Sequence, residues 1–211
     1  MTAVIICSGT IEDYSYYYKY ISEAELIICA DGGAAHAQKM GVTPHILVGD
    51  FDSISDTVLD FYKSSGVEII KFPAEKDMTD TEIALDLAID RGFRTIILLG
   101  ALGTRMDHSL ANVFLLKRLL NRGIKGIIAN EYNEMAVIKD RIELQREQGV
   151  KVTLLPLSEA VEGVTTKGLY YPLDNATLEL GSSLGVSNEF AADTAEVTVK
   201  SGLLLVIKAR D

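Results

Sequence analysis

From Met1 to about Asn130, short apolar runs alternate with segments of helical length, and this alternation constrains the fold more than any other feature of the sequence. It is typical of a sheet whose parallel strands are joined by crossover helices. The predicted strands lie at 3–7, 26–30, 45–48, 67–72, 95–99 and 125–129. The predicted helices lie near 12–22, 34–40, 55–64, 80–91 and 109–122. We therefore predict an open, mainly parallel α/β domain over residues 1–135.

Beyond Asn130 the apolar residues recur with a period of two, which is typical of β-strands. Turn residues such as Asp174-Asn175 and Gly181-Ser182 separate the runs. The predicted strands lie at 134–138, 150–155, 160–165, 168–173, 176–180, 186–190, 195–200 and 203–209. We therefore predict a small all-β domain over residues 136–211. Because a domain of this size is only marginally stable alone, we expect it to pack on the first domain or on a second chain.

The charge balance limits the partners of the chain. With 20 basic and 30 acidic side chains the formal net charge is −10, which disfavours nucleic acid and anionic membranes as partners. The sequence has neither a signal-peptide pattern nor an apolar run of membrane-spanning length. Cys7 and Cys29 lie in apolar runs, which indicates buried thiols without a disulfide framework and suits a reducing compartment. We therefore predict a cytoplasmic protein that needs metal ions to bind a small anionic substrate.

The ends of the predicted strands are rich in glycine and aspartate. Ligands of open α/β sheets bind outside the carboxyl ends of the strands, so these segments are the candidate site. They read Ser8-Gly9-Thr10, Asp31-Gly32-Gly33, Gly49-Asp50-Phe51-Asp52, Glu75-Lys76-Asp77-Met78-Thr79-Asp80 and Gly100-Ala101-Leu102-Gly103-Thr104-Arg105-Met106-Asp107-His108. Glycines let backbone amides approach a phosphate, and carboxylates can hold its magnesium.

Asp50 and Asp52 stand one residue apart at the end of a buried strand. Two adjacent anions are costly unless a cation or hydrogen-bond donors compensate them, and a hard divalent cation is the commonest solution. The alternative is that Asp52 or Ser53 caps the helix that starts near Ser55. Both interpretations remain open at this point.

Other residues of the strand ends also allow two interpretations. Thr79 and Glu82 fit a capping box, which favours Thr79 as a helix cap. Asp80 suits either the helix dipole or a site shared with Asp50 and Asp52. Arg105 suits bidentate phosphate binding, whereas His108 could cap a helix or pack. The tyrosines at 14, 16, 17, 18 and 20 are predicted to cover the sheet or meet a partner chain, and we assign them no chemistry.

Several known enzyme motifs are either absent from the sequence or present without the residues they need. The segment Gly181-Ser182-Ser183-Leu184-Gly185 matches a nucleophile elbow, but all three histidines precede it and hydrolases of that fold need a later one. No Walker A, dinucleotide-binding, zinc-finger or zinc-protease motif occurs. The segment Asp50-Phe51-Asp52-Ser53-Ile54 resembles the nucleophile loop of haloacid-dehalogenase-like phosphatases, which makes a phosphatase with Asp50 as nucleophile a competing hypothesis.

Five ordered blocks resemble the thiamine pyrophosphokinase family. They are Ala30-Asp31-Gly32-Gly33, Gly49 to Ser53, Lys76 to Asp80, Gly100 to His108 with Asn112, and Lys167 to Leu173 followed by Gly185-Val186-Ser187-Asn188-Glu189. The resemblance implies an α/β ATP-binding catalytic domain and a C-terminal β-sandwich for thiamine binding and dimerisation. It also implies a homodimer with thiamine sites between subunits. The implied reaction transfers the pyrophosphoryl group of ATP to the thiamine hydroxyl, giving thiamine diphosphate and AMP.

The resemblance also assigns roles to single residues. Asp50, Asp52 and Asp80 match the magnesium-binding carboxylates, and these three are implied to be catalytic together with Arg105 and Asp107. The ATP side is implied to include Asp31, Gly32, Gly33, Asp77, Gly103, Arg105, His108 and Asn112. The thiamine side is implied to include Tyr171, Ser187 and Asn188, with Tyr171 standing where related enzymes often place tryptophan, a residue that this chain lacks.

These assignments predict a mechanism of positioning and charge neutralisation. Magnesium held by the three aspartates would neutralise the triphosphate, and Arg105 would balance charge that develops during transfer. Asp80 is the first candidate to accept the hydroxyl proton, and Asp107 is the second. Two further alternatives are a pyrophosphokinase for another heteroaromatic alcohol, such as a hydroxymethylpterin, and a non-catalytic nucleotide or thiamine sensor.

Overall fold

The chain forms two compact units, Met1–Glu131 and Tyr132–Asp211, which we call the N-terminal and the C-terminal unit. The computed structural model describes residues 1–51, 54–73, 75 and 77–210. The predicted mixture of an α/β part with an antiparallel β part is confirmed. The predicted roles of residues 1–135 and 136–211 as separate domains stay predictions.

Parallel strands build the N-terminal unit. They are β1 (Thr2–Ile6), β2 (Leu26–Ala30), β3 (Ile46–Gly49), β4 (Glu68–Lys71), β5 (Thr95–Leu99) and β6 (Lys125–Ala129). Their spatial order is β6-β5-β1-β2-β3-β4, and every described pair among them is parallel. Burial follows this order, because β2 and β3 are buried throughout while the edge strand β4 has exposed ends. The apolar runs of the sequence are therefore the strands covered on both faces.

Helices connect these strands. They are a 3₁₀ helix at Tyr14–Tyr17, α1 (Tyr18–Ile21), α2 (Gly33–Lys39), α3 (Asp56–Ser64), α4 (Asp80–Asp90) and α5 (Met106–Asn121). The helix predicted near 12–22 is wrong in form, because a 3₁₀ turn and a single α-turn replace it. Four of its five tyrosines nevertheless pack on the core, since Tyr17 is buried and the tyrosines at 14, 16 and 20 pack against the same cluster, whereas Tyr18 is exposed. Helix α5 begins three residues earlier than predicted.

The C-terminal unit is antiparallel. Its strands are β7 (Asn133–Ile138), β8 (Arg141–Gln145), β9 (Lys151–Pro156), β10 (Ala160–Lys167), β11 (Ala176–Glu179), β12 (Asn188–Glu189), β13 (Thr194–Thr198) and β14 (Leu204–Ala209). They form two sets in the orders β12-β9-β14-β7 and β11-β10-β13-β8. One hydrophobic core draws side chains from both sets. The inward and outward alternation of β9 is the two-residue period of the sequence.

Two strand predictions in this unit are wrong. The strand predicted at 168–173 is an irregular segment with one isolated bridge, Leu169 to Phe190. Gly168 has a φ of 73°, and Pro172 has no amide to donate, so the segment cannot continue a ladder. Strand β8 is missing from the prediction, although Arg141-Ile142-Glu143-Leu144-Gln145 alternates polar and apolar residues as a half-buried strand does. No helix in the described part of the chain is long and apolar enough to cross a membrane.

Candidate active site

A cavity of about 350 Å³ lies at the carboxyl ends of β1 and β5. Its walls are residues of the segment 7–10, which follows β1, and of the segment 100–105, which follows β5. The first turns of α5 contribute His108, Ser109 and Asn112, and α4 contributes Thr81. Ligands of open α/β sheets bind at such strand ends, so this cavity is the candidate active site.

Two hydrogen bonds join the walls of the cavity. The amide of Gly9 donates to the carbonyl of Gly100 at 2.7 Å, and the amide of Thr10 donates to the carbonyl of Leu102 at 2.8 Å. A Cβ atom on residue 9 would lie 2.4 Å from each of these carbonyl oxygens. The loops can therefore approach this closely only because residue 9 is glycine.

Side chains of α5 fix the second wall. Ser109 Oγ accepts a hydrogen bond from the Gly103 amide at 3.1 Å and lies 3.1 Å from the Arg105 carbonyl oxygen. Asn112 Nδ2 donates to the Ala101 carbonyl at 2.7 Å. Asn112 thus lines the cavity and also holds its loop in shape, while Ser109 does the same without having been predicted from the sequence.

Arg105 lies at the cavity and forms an ion pair with Asp107. The guanidinium Nη2 is 2.6 Å from Asp107 Oδ2, and Nε is 3.3 Å from Oδ1. The hydrogen bond from Arg105 lowers the pKa of Asp107, and the same contact raises the pKa of Arg105. Exposed pairs of this kind contribute little to stability, so a bound anion can take over the guanidinium.

Three predicted carboxylates lie at the same edge of the sheet. Asp31 follows β2, Asp50 follows β3, and Asp80 begins α4, which packs against β1, β2 and β3. The backbone of Asp31 contacts the end of β3, two residues before Asp50, because the Asp31 amide donates to the Val48 carbonyl at 2.8 Å. A Cβ atom on Gly49 would lie 3.2 Å from Asp31 Cα.

The metal-binding prediction depends on oxygen donors at this edge. Oδ1 of Asp31 and Oδ1 of Asp80 are buried from solvent. Asp52, the remaining predicted ligand, lies outside the described residues, as do Ser53 and Lys76. Among the residues that the structure describes, no group of three or more His, Cys, Asp or Glu side chains is arranged to hold a metal ion. The metal site therefore stays a prediction.

The helix starts separate capping residues from candidate ligands. Thr79 Oγ1 accepts a hydrogen bond from the Glu82 amide at 3.2 Å, so Thr79 caps α4 as the capping box predicts. Ser55 holds the N-cap position of α3. Asp52 and Ser53, the alternative capping residues, lie outside the described residues, so that alternative stays a prediction.

An ion-pair network that the sequence did not predict joins α4 to α5. Arg118 of α5 contacts both oxygens of Asp86, at 2.6 and 2.7 Å, and Glu82 Oε1 at 2.5 Å. All three side chains are less than one third exposed. The network ties together the two helices whose first turns carry Asp80 and Asp107.

Three predicted ATP-side positions, Asp77, Gly33 and Gly32, do not line the 350 Å³ cavity. Asp77 lines a separate, mainly apolar cavity of about 420 Å³ beside α4. A Cβ atom on Gly33 would lie 2.0 Å from the Ile6 carbonyl oxygen, so this glycine permits close packing of α2 against β1. Gly32 precedes it at the N-cap position of α2.

The predicted thiamine-side residues lie together in the C-terminal unit. Asn188 is buried, and its Oδ1 accepts a hydrogen bond from the Tyr171 amide at 3.0 Å while its Nδ2 donates to the Tyr171 carbonyl at 2.7 Å. The Tyr171 ring is 63% exposed and meets the Tyr170 ring edge-on at 4.9 Å between centroids. The Ser187 amide donates to Thr153 Oγ1 at 3.0 Å. Asn188 thus fixes the backbone of Tyr171 and leaves the aromatic ring free for contact.

Two domain profiles of one family match this chain. The profile described as the catalytic domain of thiamin pyrophosphokinase matches residues 17–128, and the one described as its vitamin B1 binding domain matches residues 139–204. The chain belongs to the thiamine pyrophosphokinase family. The cavity and the carboxylate edge lie largely within the first match, and Tyr171, Ser187 and Asn188 lie within the second.

Other members of the thiamine pyrophosphokinase family resemble the chain along nearly its whole length. The thiamine pyrophosphokinase of Bacillus subtilis is 29% identical over 194 residues, which cover 91% of each chain. Its crystal structure superimposes with a TM-score of 0.92 and covers both chains completely. The thiamin pyrophosphokinase of Geobacillus thermodenitrificans is 30% identical, with a TM-score of 0.85 over 100% of this chain and 98% of that one. The family resemblance of the sequence is confirmed, and the phosphatase hypothesis is not favoured.

Within this family member, the structure brings together four of the predicted ATP-side residues. Gly103, Arg105, His108 and Asn112 all line the 350 Å³ cavity, and Asp107 contacts Arg105. Cys7, Thr81 and Ser109 also line it and were missed. A serine in the first turns of a helix after a glycine-rich loop could have indicated Ser109, whereas the position of Thr81 depends on how α4 packs.

Proposed function

We propose that the chain is an ATP:thiamine diphosphotransferase that moves the pyrophosphoryl group of ATP to the hydroxyl of thiamine, releasing AMP and thiamine diphosphate. The observation that carries the proposal is the match of both the catalytic and the vitamin B1 binding profiles to the two parts of the chain. The glycine-walled cavity in the first of these parts supports it.

The nucleotide would bind in the 350 Å³ cavity. Its glycine-rich walls leave the backbone accessible to phosphate oxygens, and Arg105 offers a planar guanidinium for bidentate contact with them. Release of Arg105 from Asp107 would free this group when the triphosphate binds. Arg105 would then balance the charge that develops as the pyrophosphoryl group moves.

Magnesium would be held by Asp50 and Asp80, with Asp52 as the third predicted ligand. The donor set fits the ion, because carboxylate oxygens at one edge of the sheet are the ligands that magnesium prefers. The ion would neutralise phosphate charge. The residues of the chain would hold the two substrates in line for the transfer.

Asp80 is the better candidate for the group that accepts the proton of the thiamine hydroxyl. Asp107, the second candidate, has its pKa lowered by the hydrogen bond from Arg105, which makes it a weaker proton acceptor. Asp80 stands at the start of α4 with one oxygen buried, at the sheet edge where the phosphates would bind.

Thiamine would contact the C-terminal unit through Tyr171, Ser187 and Asn188. The exposed ring of Tyr171 can stack on a heteroaromatic ring, in the place where relatives often have tryptophan. We further propose that this unit is a β-sandwich and mediates a homodimer. Exposed apolar side chains in it support that role, and they are Tyr170, Tyr171, Leu180, Leu184 and Val186.

The reaction is tested by incubating the protein with magnesium, ATP and thiamine and separating the products. We expect thiamine diphosphate and AMP in equal amounts. ADP with thiamine monophosphate would contradict pyrophosphoryl transfer. Binding of both ligands without any AMP would show a sensor, and turnover of a hydroxymethylpterin but not thiamine would show a different acceptor.

A further inference from the structure

The segment that forms the first wall of the cavity is held by side chains from distant parts of the N-terminal unit. This segment connects β1 to α1, and its only helical turn is the 3₁₀ helix at Tyr14–Tyr17. The backbone from Ser8 to Asp13 is irregular. An irregular loop of this kind would sample several conformations unless other groups fix it. The structure supplies such groups from α2 and from the end of β6.

His36 of α2 bridges the two ends of this segment. Its Nε2 lies 2.8 Å from the carbonyl oxygen of Gly9, and its Nδ1 lies 2.9 Å from the hydroxyl of Tyr14. A carbonyl oxygen only accepts hydrogen bonds, so Nε2 carries the proton. Burial lowers the pKa of His36, which keeps the ring neutral and lets Nδ1 accept from Tyr14.

Glu131 holds the middle of the same segment. Its Oε1 accepts hydrogen bonds from the amides of Glu12 and Asp13 at 2.8 and 2.9 Å, and its Oε2 accepts one from the Tyr17 hydroxyl at 2.6 Å. Gly9, at the other end, forms the close contact with Gly100 that joins the two walls. The bond from His36 therefore acts directly on the residue that touches the second wall.

We propose that His36 is a positioning residue for the cavity: by holding the Gly9 carbonyl it keeps the first wall in the shape that receives the nucleotide. It makes no contact with substrate and takes no part in proton transfer. Loss of its Nε2–H bond removes one of the hydrogen bonds that hold the peptide between Gly9 and Thr10, so each binding event must order the loop further, and nucleotide affinity falls.

The first test needs no ligand and compares backbone amide exchange by mass spectrometry. In His36→Leu we expect faster exchange across residues 8–17 and unchanged exchange in the C-terminal unit. His45→Gln is the matched control, because His45 Nδ1 accepts from the Ile27 amide at 3.0 Å, away from the cavity. Unchanged exchange across residues 8–17 in His36→Leu overturns the proposal.

The second test separates the two bonds of the ring. Glutamine can place an amide donor near the position of Nε2, whereas asparagine reaches only the position of Nδ1. We therefore expect His36→Gln to keep the KM for ATP within about twofold, and His36→Asn and His36→Leu to raise it about fivefold to tenfold, with the KM for thiamine and kcat changing less. An equal rise in both KM values, or an equal effect of glutamine and asparagine, overturns the proposal.

The inference rests on the proposed function for this kinetic readout alone. If the wild type released no AMP from ATP and thiamine, the proposed function would fail while the exchange experiment would still decide the role of His36. A normal rate of AMP release in the wild type together with unchanged loop exchange in His36→Leu would leave the function standing and remove the positioning role.

Discussion

At the residue scale, the proposed chemistry depends on single carboxylates at the edge where β2 and β3 end. Asp50 follows Gly49, whose backbone touches that of Asp31, so two acidic side chains start from neighbouring points of the chain. Like charges this close destabilise the folded protein unless a cation or hydrogen-bond donors compensate them. The proposed magnesium site gives a prediction that links activity to the response of stability to magnesium.

Asp50→Asn should lower kcat by about 100-fold or more, because an amide cannot replace a charged magnesium ligand during phosphoryl-type transfer. Magnesium should also stabilise this variant less than the wild type, because the neutral amide binds the ion more weakly. Thermal melts with and without magnesium, beside an AMP assay, check both statements.

The matched control for Asp50 is Asp60→Asn on α3. Asp60 is exposed and contacts Lys63 at 3.1 Å, so its loss should change neither the activity nor the response to magnesium. A fully active Asp50→Asn protein that magnesium stabilises as much as the wild type would sink the metal-ligand assignment.

Tyr171 and Asn188 give a second prediction at this scale. Tyr171→Ala should raise the KM for thiamine about tenfold and that for ATP much less, because it removes a stacking face. Because Asn188 bonds to the backbone of Tyr171, Asn188→Ala should act mainly through that ring. In the Tyr171→Ala background it should therefore add little to the KM for thiamine.

The kinetic measurement is a double-mutant cycle, with Tyr171→Phe as the control that keeps the ring. Independent, additive effects of Tyr171→Ala and Asn188→Ala on the KM for thiamine would show that Asn188 contacts the substrate itself. Equal effects on both substrates would show that the acceptor site lies elsewhere.

At the scale of helices and strands, the network of Arg118 with Glu82 and Asp86 joins the two helices that start at the site. Arg118→Ala should lower the free energy of unfolding by about 1–3 kcal/mol, because two partly buried carboxylates lose their cation. Urea unfolding measures the change. The control is Arg91→Ala, whose exposed contact with Glu68 at 3.1 Å should contribute less. An equal loss in both variants would contradict a special role for the network.

The elements that could be predicted from sequence are those whose burial determines the local order of apolar and polar residues. Strands β1, β2, β3 and β5 are covered on both faces and read as apolar runs, and the glycines and aspartates after them mark the site. Strand β8 alternates polar and apolar residues but has only two apolar ones, Ile142 and Leu144, so its period-two pattern is short. The segment 168–173 reads as a strand, yet Gly168 and Pro172 prevent one.

Contacts between residues far apart in sequence lie beyond such patterns. His36 reaches Gly9 across 27 residues, and Asn188 reaches Tyr171 across 17. A histidine on a predicted helix and an asparagine in a β-segment gain these partners only from the way the elements pack. The sequence therefore predicted that Arg105, His108 and Asn112 belong to the site. It did not predict that His36 holds the facing wall through Gly9.

For the whole molecule, the proposed homodimer places exposed apolar side chains of the C-terminal unit at the subunit contact. Sedimentation at working concentration should give twice the mass of the chain. Leu184→Lys should shift the measured mass toward that of the monomer, because Leu184 is 60% exposed in the single chain and would lie in the proposed contact. Phe114→Lys is the comparison, since it alters an exposed apolar residue of α5 in the other unit. A monomeric wild type would contradict the proposal.

The positions of the two cysteines allow local opening of the N-terminal unit to be measured as a rate of thiol labelling. Cys7 and Cys29 are the two cysteines of the chain, and both are buried in the N-terminal unit, where burial raises the pKa of Cys7 to about 12 and that of Cys29 further still. A thiol reagent should therefore label the chain only when β1 or β2 opens. The labelling rate then reports opening of the N-terminal unit and not of the C-terminal unit. Because Cys7 lines the cavity, ATP with magnesium should slow its labelling as nucleotide occupancy rises with the ATP concentration, measured by mass spectrometry over hours. If Cys7 were labelled as fast as a free thiol, its burial beside the cavity would be contradicted.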